Sequence, residues 1–199
     1  MFNYEDTLIL FGRSPYINKI ADYIPELCKK YHTMGCNYFC ESFPMVEYVI
    51  FHDDICPKVQ KNQTIVTNIL YLRRKRANCN ELVENHEKKE LYVIHRNFKK
   101  FAGDDHSLNF CIHTPSMAFD WAYKKGFKNV ILAGIDLTLE NQHFDYKTTP
   151  DRDGHNFNDS ALMTARRHLT TVAAKHLNIY QLNPDNDLDI PKIKITDLL

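Results

Sequence analysis

The sequence predicts an α/β fold, a single domain over residues 1–199 with a largely parallel sheet flanked by helices. Three observations lead there. Short continuous apolar runs bounded by glycine or proline read as strands buried on both faces, Leu8–Phe11 being the clearest. Segments with apolar residues at helical spacing separate such runs, and the two kinds alternate through the chain. A length of 199 residues suits one domain with a sizeable core.

In chain order, the run that opens at Thr7 stops at Gly12 and passes through a polar pair to Pro15. Ile17, Ile20, Ile24 and Leu27 then follow at helical spacing. Strand, glycine turn and helix in that order are how a nucleotide-binding α/β domain begins. Gly12 would let backbone approach a ligand, and the free N–H groups of the next helix favour anions. A plain βα turn explains the same residues, since a single glycine is neither GxGxxG nor a Walker loop. His32–Phe39 reads as the second strand, with Asn37 near its end. Val46–Asp53 reads as the third, turning polar at His52, Asp53 and Asp54, on the edge where α/β sheets bind ligands. Helix capping or plain exposure is the alternative for the two aspartates. Thr64–Thr67 is a short fourth strand, residues 73–89 a loop and a polar helix, Glu90–Arg96 a strand, and Asn97–Ser107 a polar connection.

The second half is more sharply patterned. Thr114–Lys125 has the marks of a helix: Thr114 as N-cap, Pro115 in the first turn, and Gly126 as the stop. Met117, Ala118, Trp121 and Ala122 form its apolar stripe, so Trp121 is a core residue rather than a stacking platform. Asn129–Thr138 is a buried strand that runs into Gly134 and Asp136, the latter a ligand contact or a cap. Residues 139–158 are polar, marked by His143, Phe144 and His155, and long enough for a functional loop. Asn158–Leu177 is a helix with Leu162, Ala165, Leu169, Val172, Ala173 and Leu177 inward, and Asn178–Asn183 a last strand. The tail, with Ile190, Ile193 and Ile195, reads as an edge segment.

Composition narrows the function. The chain carries 25 basic and 25 acidic side chains, which gives no general basic surface for nucleic acid. The local run Arg73–Arg76 reads as solvated surface. Aromatic content of 12% suits a packed domain. Six cysteines stand without a CxxC pair, against structural zinc and for reduced thiols in the cytoplasm. No signal peptide is evident before the first strand, and no apolar run reaches membrane-spanning length.

Read together, GRSP after the first strand, CNYF in the second, FHDD after the third and GFKNVILAGIDL resemble the bacterial single-domain sialyltransferases. That family is Rossmann-like and takes CMP-sialic acid without a metal. The resemblance covers about residues 7–53 and 110–184, and the spacing from Thr114 to Asp136 holds without gaps. The same features occur in hydroxymethylpterin pyrophosphokinase-like (MptE-like) proteins. The resemblance implies a metal-independent glycosyltransferase with a CMP-sugar as donor and a glycan or small-molecule hydroxyl as acceptor. Gly12, Ser14 and Pro15 would belong to the donor loop, with Arg13, where the family has asparagine, as a forked phosphate donor. Asn37, His52, Asp53, Thr114, Ser116, Gly134 and Asp136 would complete the nucleotide and donor site. His155 matches the catalytic histidine, a general base on the acceptor hydroxyl. Cys111 replaces a family arginine, and Thr138 and Phe144 stand near a family tyrosine pair. Two other readings stay open. One is a Mg²⁺-dependent pyrophosphokinase using Asp53, Asp54 and Asp136. The other is a nucleotide-binding module without chemistry. Whether copies associate as a homo-oligomer is also open.

Overall fold

The computed structural model describes residues 2–52, 55–68, 77–97, 99–111, 113–138 and 159–199. Among these, eight strands make one sheet. They are β1 (Thr7–Phe11), β2 (His32–Cys36), β3 (Tyr48–Ile50), β4 (Thr64–Asn68), β5 (Lys89–His95), β6 (Ser107–Asn109), β7 (Asn129–Ala133) and β8 (Asn178–Gln181). Their spatial order is β6-β5-β4-β3-β2-β1-β7-β8, and every neighbouring pair is parallel. The expected parallel α/β sheet is therefore present. The chain winds outward from β1 to β6, then crosses back to place β7 on the other side of β1. That reversal between β1 and β7 is a topological switch point, where the loops leaving two adjacent strands diverge and leave a crevice.

Parallel strands need crossovers, and helices supply them on both faces. The described helices are α1 (Ile17–Ile20), α2 (Ile24–Lys30), α3 (Phe39–Ser42), α4 (Ala77–Asn85), α5 (Thr114–Lys124) and α6 (Asp159–Thr171). Strand β1 shows how the layers are specified: alternate side chains point to opposite faces. Leu8 and Leu10 join Met34, Ile50, Trp121 and Leu169 in one core, on the α5 and α6 side. Ile9 and Phe11 join Ile17, Leu27, Val49 and Val83 in the other, on the side of α1 to α4. All five β1 side chains, Thr7 included, are fully buried, as the continuous apolar run demands.

Several boundaries differ from expectation for local reasons. The single helix expected through Ile17–Leu27 is divided by a 3₁₀ turn at Ala21–Tyr23, because Pro25 in the first turn of α2 lacks an N–H and would clash with the preceding turn. β2 stops at Cys36 because Asn37 takes a left-handed conformation, φ +56°. β3 keeps only Tyr48–Ile50 of Val46–Asp53, and β7 ends at Ala133 because Gly134 turns left-handed, φ +71°. β6 starts at Ser107, the last residue of the expected connection, and has three residues, too few for a periodicity to register. The tail lies along the free edge of β8. The Gln181 N–H donates to the Pro191 carbonyl (2.9 Å), and the Ile193 N–H to the Gln181 carbonyl (3.1 Å). Cys28, Cys36, Cys40 and Cys111 are free thiols, but Cys56 is disulfide-bonded, which corrects the expectation that all the cysteines are reduced.

One polar cluster joins β5 to α5. The Glu90 carboxylate accepts from the Trp121 indole N–H (2.7 Å) and the Tyr92 hydroxyl (2.7 Å), and pairs with Lys125 at 2.8 Å. Burial works to raise the Glu90 pKa, but these three donors together hold it below the usual carboxylate value. Glu90→Ala leaves two donors on buried side chains without an acceptor and is expected to cost about 2 kcal/mol. Urea unfolding checks this, and Lys125→Ala, which removes only a partly exposed partner, is expected to cost less than half as much.

Candidate functional site at the sheet switch point

The loops that leave β1 and β7 are stitched together by backbone. The Gly12 N–H donates to the Ala133 carbonyl (2.8 Å) and the Ser14 N–H to the Gly134 carbonyl (3.0 Å). A Cβ on Gly12 would lie 2.3 Å from the Gly134 oxygen and 2.5 Å from Ile135 Cγ1. A Cβ on Gly134 would lie 2.6 Å from Ile17 Cγ1. These glycines exist so that two loops and α1 can touch. That replaces the expectation that the missing side chain of Gly12 faces a ligand. The N–H groups expected to be free at the start of the next helix are also occupied. Ile17, Asn18 and Lys19 donate to the carbonyls of Ser14, Pro15 and Tyr16.

The side chains of this loop are placed by their own contacts. Pro15 is exposed, and Ser14 Oγ accepts the Tyr16 N–H at 3.3 Å. Arg13 is only 5% exposed, and its guanidinium lies 5.4 Å from the centre of the Tyr38 ring. That stacking gives the cation a packing role which the sequence did not suggest. The Tyr16 hydroxyl donates to the Leu182 carbonyl (2.8 Å), tying the loop to the end of β8. Burial first, then the carboxylates of Asp136 and Asp185, raise its pKa.

Asn37 and Thr114 form the second wall. Left-handed Asn37 donates its N–H to the Ile50 carbonyl (2.8 Å), and its Oδ1 accepts from the Thr114 hydroxyl at 3.1 Å. The end of β2 and the start of α5 thus meet across the C-terminal edge of the sheet. His52 follows β3 on the same edge, 7% exposed, with its ring 4.5 Å from that of Phe110.

The N-cap of α5 is His113, not Thr114. Its Nδ1 accepts the Ser116 N–H at 3.2 Å. Ser116 is fully buried: its hydroxyl donates to the His113 carbonyl (2.7 Å) and accepts the Cys111 N–H (2.7 Å). Ser116 therefore shapes the helix start instead of facing the crevice. Asp136 is similarly committed. Its Oδ1 accepts from Gln181 Nε2 (3.2 Å), its Oδ2 from Asn183 Nδ2 (3.0 Å), and its carbonyl from Asn186 Nδ2 (2.8 Å). Leu137 is left-handed, φ +48°, with its carbonyl held by Arg166 Nε at 2.9 Å.

Gly12, Arg13, Ser14, Asn37, Thr114, Gly134 and Asp136 thus gather on the C-terminal edge of the sheet, around the switch point. Asp53, Asp54, His143, Phe144 and His155 lie outside the described residues. Among the described residues no group of three or more His, Cys, Asp or Glu is placed to hold a metal ion. Both carboxylate oxygens of Asp136 face amide N–H donors, an arrangement that suits a fixed anion better than a cation ligand. Sequence reasoning missed Tyr16 and Tyr38, whose roles arise from partners far along the chain. It also missed His113, a residue type uncommon as a cap.

No protein-family model matches the chain, and no curated protein matches it significantly. Two solved structures resemble it. The MAf glycosyltransferase of Magnetospirillum magneticum AMB-1 aligns with a TM-score of 0.59 at 10% identity, over 96% of this chain. The likeness is one of fold. This chain spans 34% of the length of that enzyme. A mammalian sialyltransferase, solved with Gal-β-1-3GalNAc-ortho-nitrophenol, aligns at 0.39 and 9% identity, over 83% of this chain and 67% of its own. That alignment is too loose to carry an argument. No helix among the described residues is long and apolar enough to cross a membrane.

Two expected outcomes follow from this geometry. Gly12→Ala forces a methyl group into the Gly134 carbonyl and is expected to cost about 3 kcal/mol, measured by chemical denaturation. His113 and His168 are both buried, and burial lowers their pKa values to about 3 and about 4, with His168 adding to the effect on His113. The unfolded chain takes up these protons near pH 6.5, while the fold refuses them until about 4 and about 3. Stability is therefore complete above pH 6.5 and falls as the pH drops below it, by about 1 kcal/mol per pH unit for each histidine. Among the described residues neither ring nitrogen of His168 has a hydrogen-bond partner, so His168→Leu is expected to keep stability at pH 7 and flatten this decline.

Proposed function

We propose that the chain is a glycosyltransferase domain that binds a CMP-sugar at the β1/β7 switch point and passes the sugar to an acceptor hydroxyl. The observation that carries this reading is the reversal of winding between β1 and β7, with the loops of Gly12–Tyr16 and Gly134–Leu137 at its mouth. Open α/β sheets bind their ligands at such points. The shared fold with a glycosyltransferase supports it, as do the motifs in these loops. The loop Arg13–Tyr16 would carry the donor phosphate, while Asn37, Thr114 and His52 would line the nucleoside side. Gly12, Ser116, Gly134 and Asp136 would hold the frame.

In the reaction, the acceptor oxygen attacks the anomeric carbon as its proton passes to a base. The bond from that carbon to the phosphate oxygen breaks, and the nucleotide leaves with the electron pair. His155 is the proposed base, by its match to the family histidine, and a near-neutral imidazole suits that task. No metal is assigned a part. The Mg²⁺-dependent phosphotransfer reading is weaker, because Asp136, one of its three carboxylates, already accepts two amide donors.

CMP is expected to raise the melting temperature in the presence of EDTA, since a ligand that binds only the folded state stabilises it by mass action. Asn37→Ala is expected to weaken CMP binding by about tenfold, the equivalent of roughly 1.4 kcal/mol. His155→Ala is expected to keep CMP binding and lose turnover of CMP-sialic acid. Stabilisation by ATP with Mg²⁺ and not by CMP would overturn the proposal.

A further inference from the structure

A second concave surface opens beside the switch point, between α6 and the loop after β8. It encloses about 590 Å³, within the range of small-molecule sites. Met163, Thr164 and Arg167 line its helix wall, Asp187 and Asp189 its loop wall, and Arg166 bridges the two. The Arg166 guanidinium pairs with both Asp187 oxygens and donates through Nε to the Leu137 carbonyl (2.9 Å). Leu137 directly follows Asp136 of the switch-point loop, so Arg166 ties this groove to that loop.

The chemistry of the lining selects a ligand class. Arg167 and Asp189 are exposed and have no ion-pair partner among the described residues, leaving a free fork donor on one wall and a free acceptor on the other. Two carboxylates in the wall disfavour a phosphate or other polyanion, and two guanidinium groups disfavour a metal ion. Met163, 63% exposed, and Leu188 beneath the loop wall put apolar surface among these polar groups. Paired donors and acceptors beside apolar surface fit a molecule with adjacent hydroxyls on one edge and C–H groups on its face, which describes a sugar ring.

We infer that the groove between α6 and the loop after β8 binds the acceptor saccharide, Arg167 and Asp189 taking its hydroxyls and Met163 lying against its ring. This rests on the glycosyltransferase reading above. Occupancy of the groove would set an acceptor hydroxyl beside the donor site, through the loop that Arg166 fixes.

The test uses the full chain labelled with ¹³C at the methionine methyl groups, with the Met163 resonance assigned through Met163→Leu. Galactose, glucose, N-acetylgalactosamine, N-acetylglucosamine and lactose are titrated in turn, and CMP binding is followed separately by thermal shift. At least one sugar is expected to move the Met163 signal while those of buried Met34 and Met117 stay fixed. Arg167→Ala and Asp189→Asn are each expected to weaken that titration about fivefold with the CMP shift unchanged. Sugar binding that leaves Met163 unmoved, or that both variants leave intact, overturns the groove. So does CMP binding without any sugar response, which leaves the donor reading in place. Silence toward CMP and sugars alike removes both.

Discussion

The contact between Gly12 and Gly134 is the constraint on which the candidate site depends. Two backbone segments approach there so closely that neither position has room for a side chain. The approach allows the loops after β1 and β7 to share hydrogen bonds as if each strand were one residue longer, and it seats α1 against Gly134 through Ile17. The direction in which Arg13 to Tyr16 leave the sheet follows from it. So does the position of Asp136, from which three amide side chains of the β8 end take their bearings. Widening this contact would separate the walls of the crevice before any ligand residue was touched.

Around that contact the fold accepts local cost. Asn37 and Leu137 both take left-handed conformations, each about 1 kcal/mol or more above the ordinary regions for residues with a side chain. Each is held from outside. Asn37 is fixed by the Ile50 carbonyl and the Thr114 hydroxyl, and Leu137 by Arg166 from α6. His113 adds another requirement, since its Nδ1 can cap α5 only while the imidazole is neutral. Burial secures that neutrality at physiological pH, so the acid sensitivity of the fold and the geometry of the α5 start have one cause.

Much of this was legible in the sequence, for physical reasons that particular residues make clear. Leu8 to Phe11 had to be buried on two faces, and that alone implied helices on both sides of a parallel sheet. The stop at Gly126, the stripe through Trp121 and the inward face of α6 were periodic and local. What the sequence hid was distant pairing. Ser116 looked like an open donor, but it is consumed by His113 and Cys111. Arg13 looked like a cation without a packing role, but it stacks on Tyr38. Gly12 was read as opening backbone to a ligand, whereas the space it leaves is taken by Gly134, 122 residues along the chain, which nothing local could name.

We propose the switch-point crevice as the place where the nucleotide binds. Hydrogen–deuterium exchange of the full chain with and without CMP, in EDTA, tests it most directly, because backbone protection reports the site without presuming any chemistry. Binding at the crevice adds protection in segments 12–17, 35–38 and 113–117 and leaves the outer strands β5 and β6 unchanged. Protection confined to other segments, or no change at saturating CMP, would contradict it.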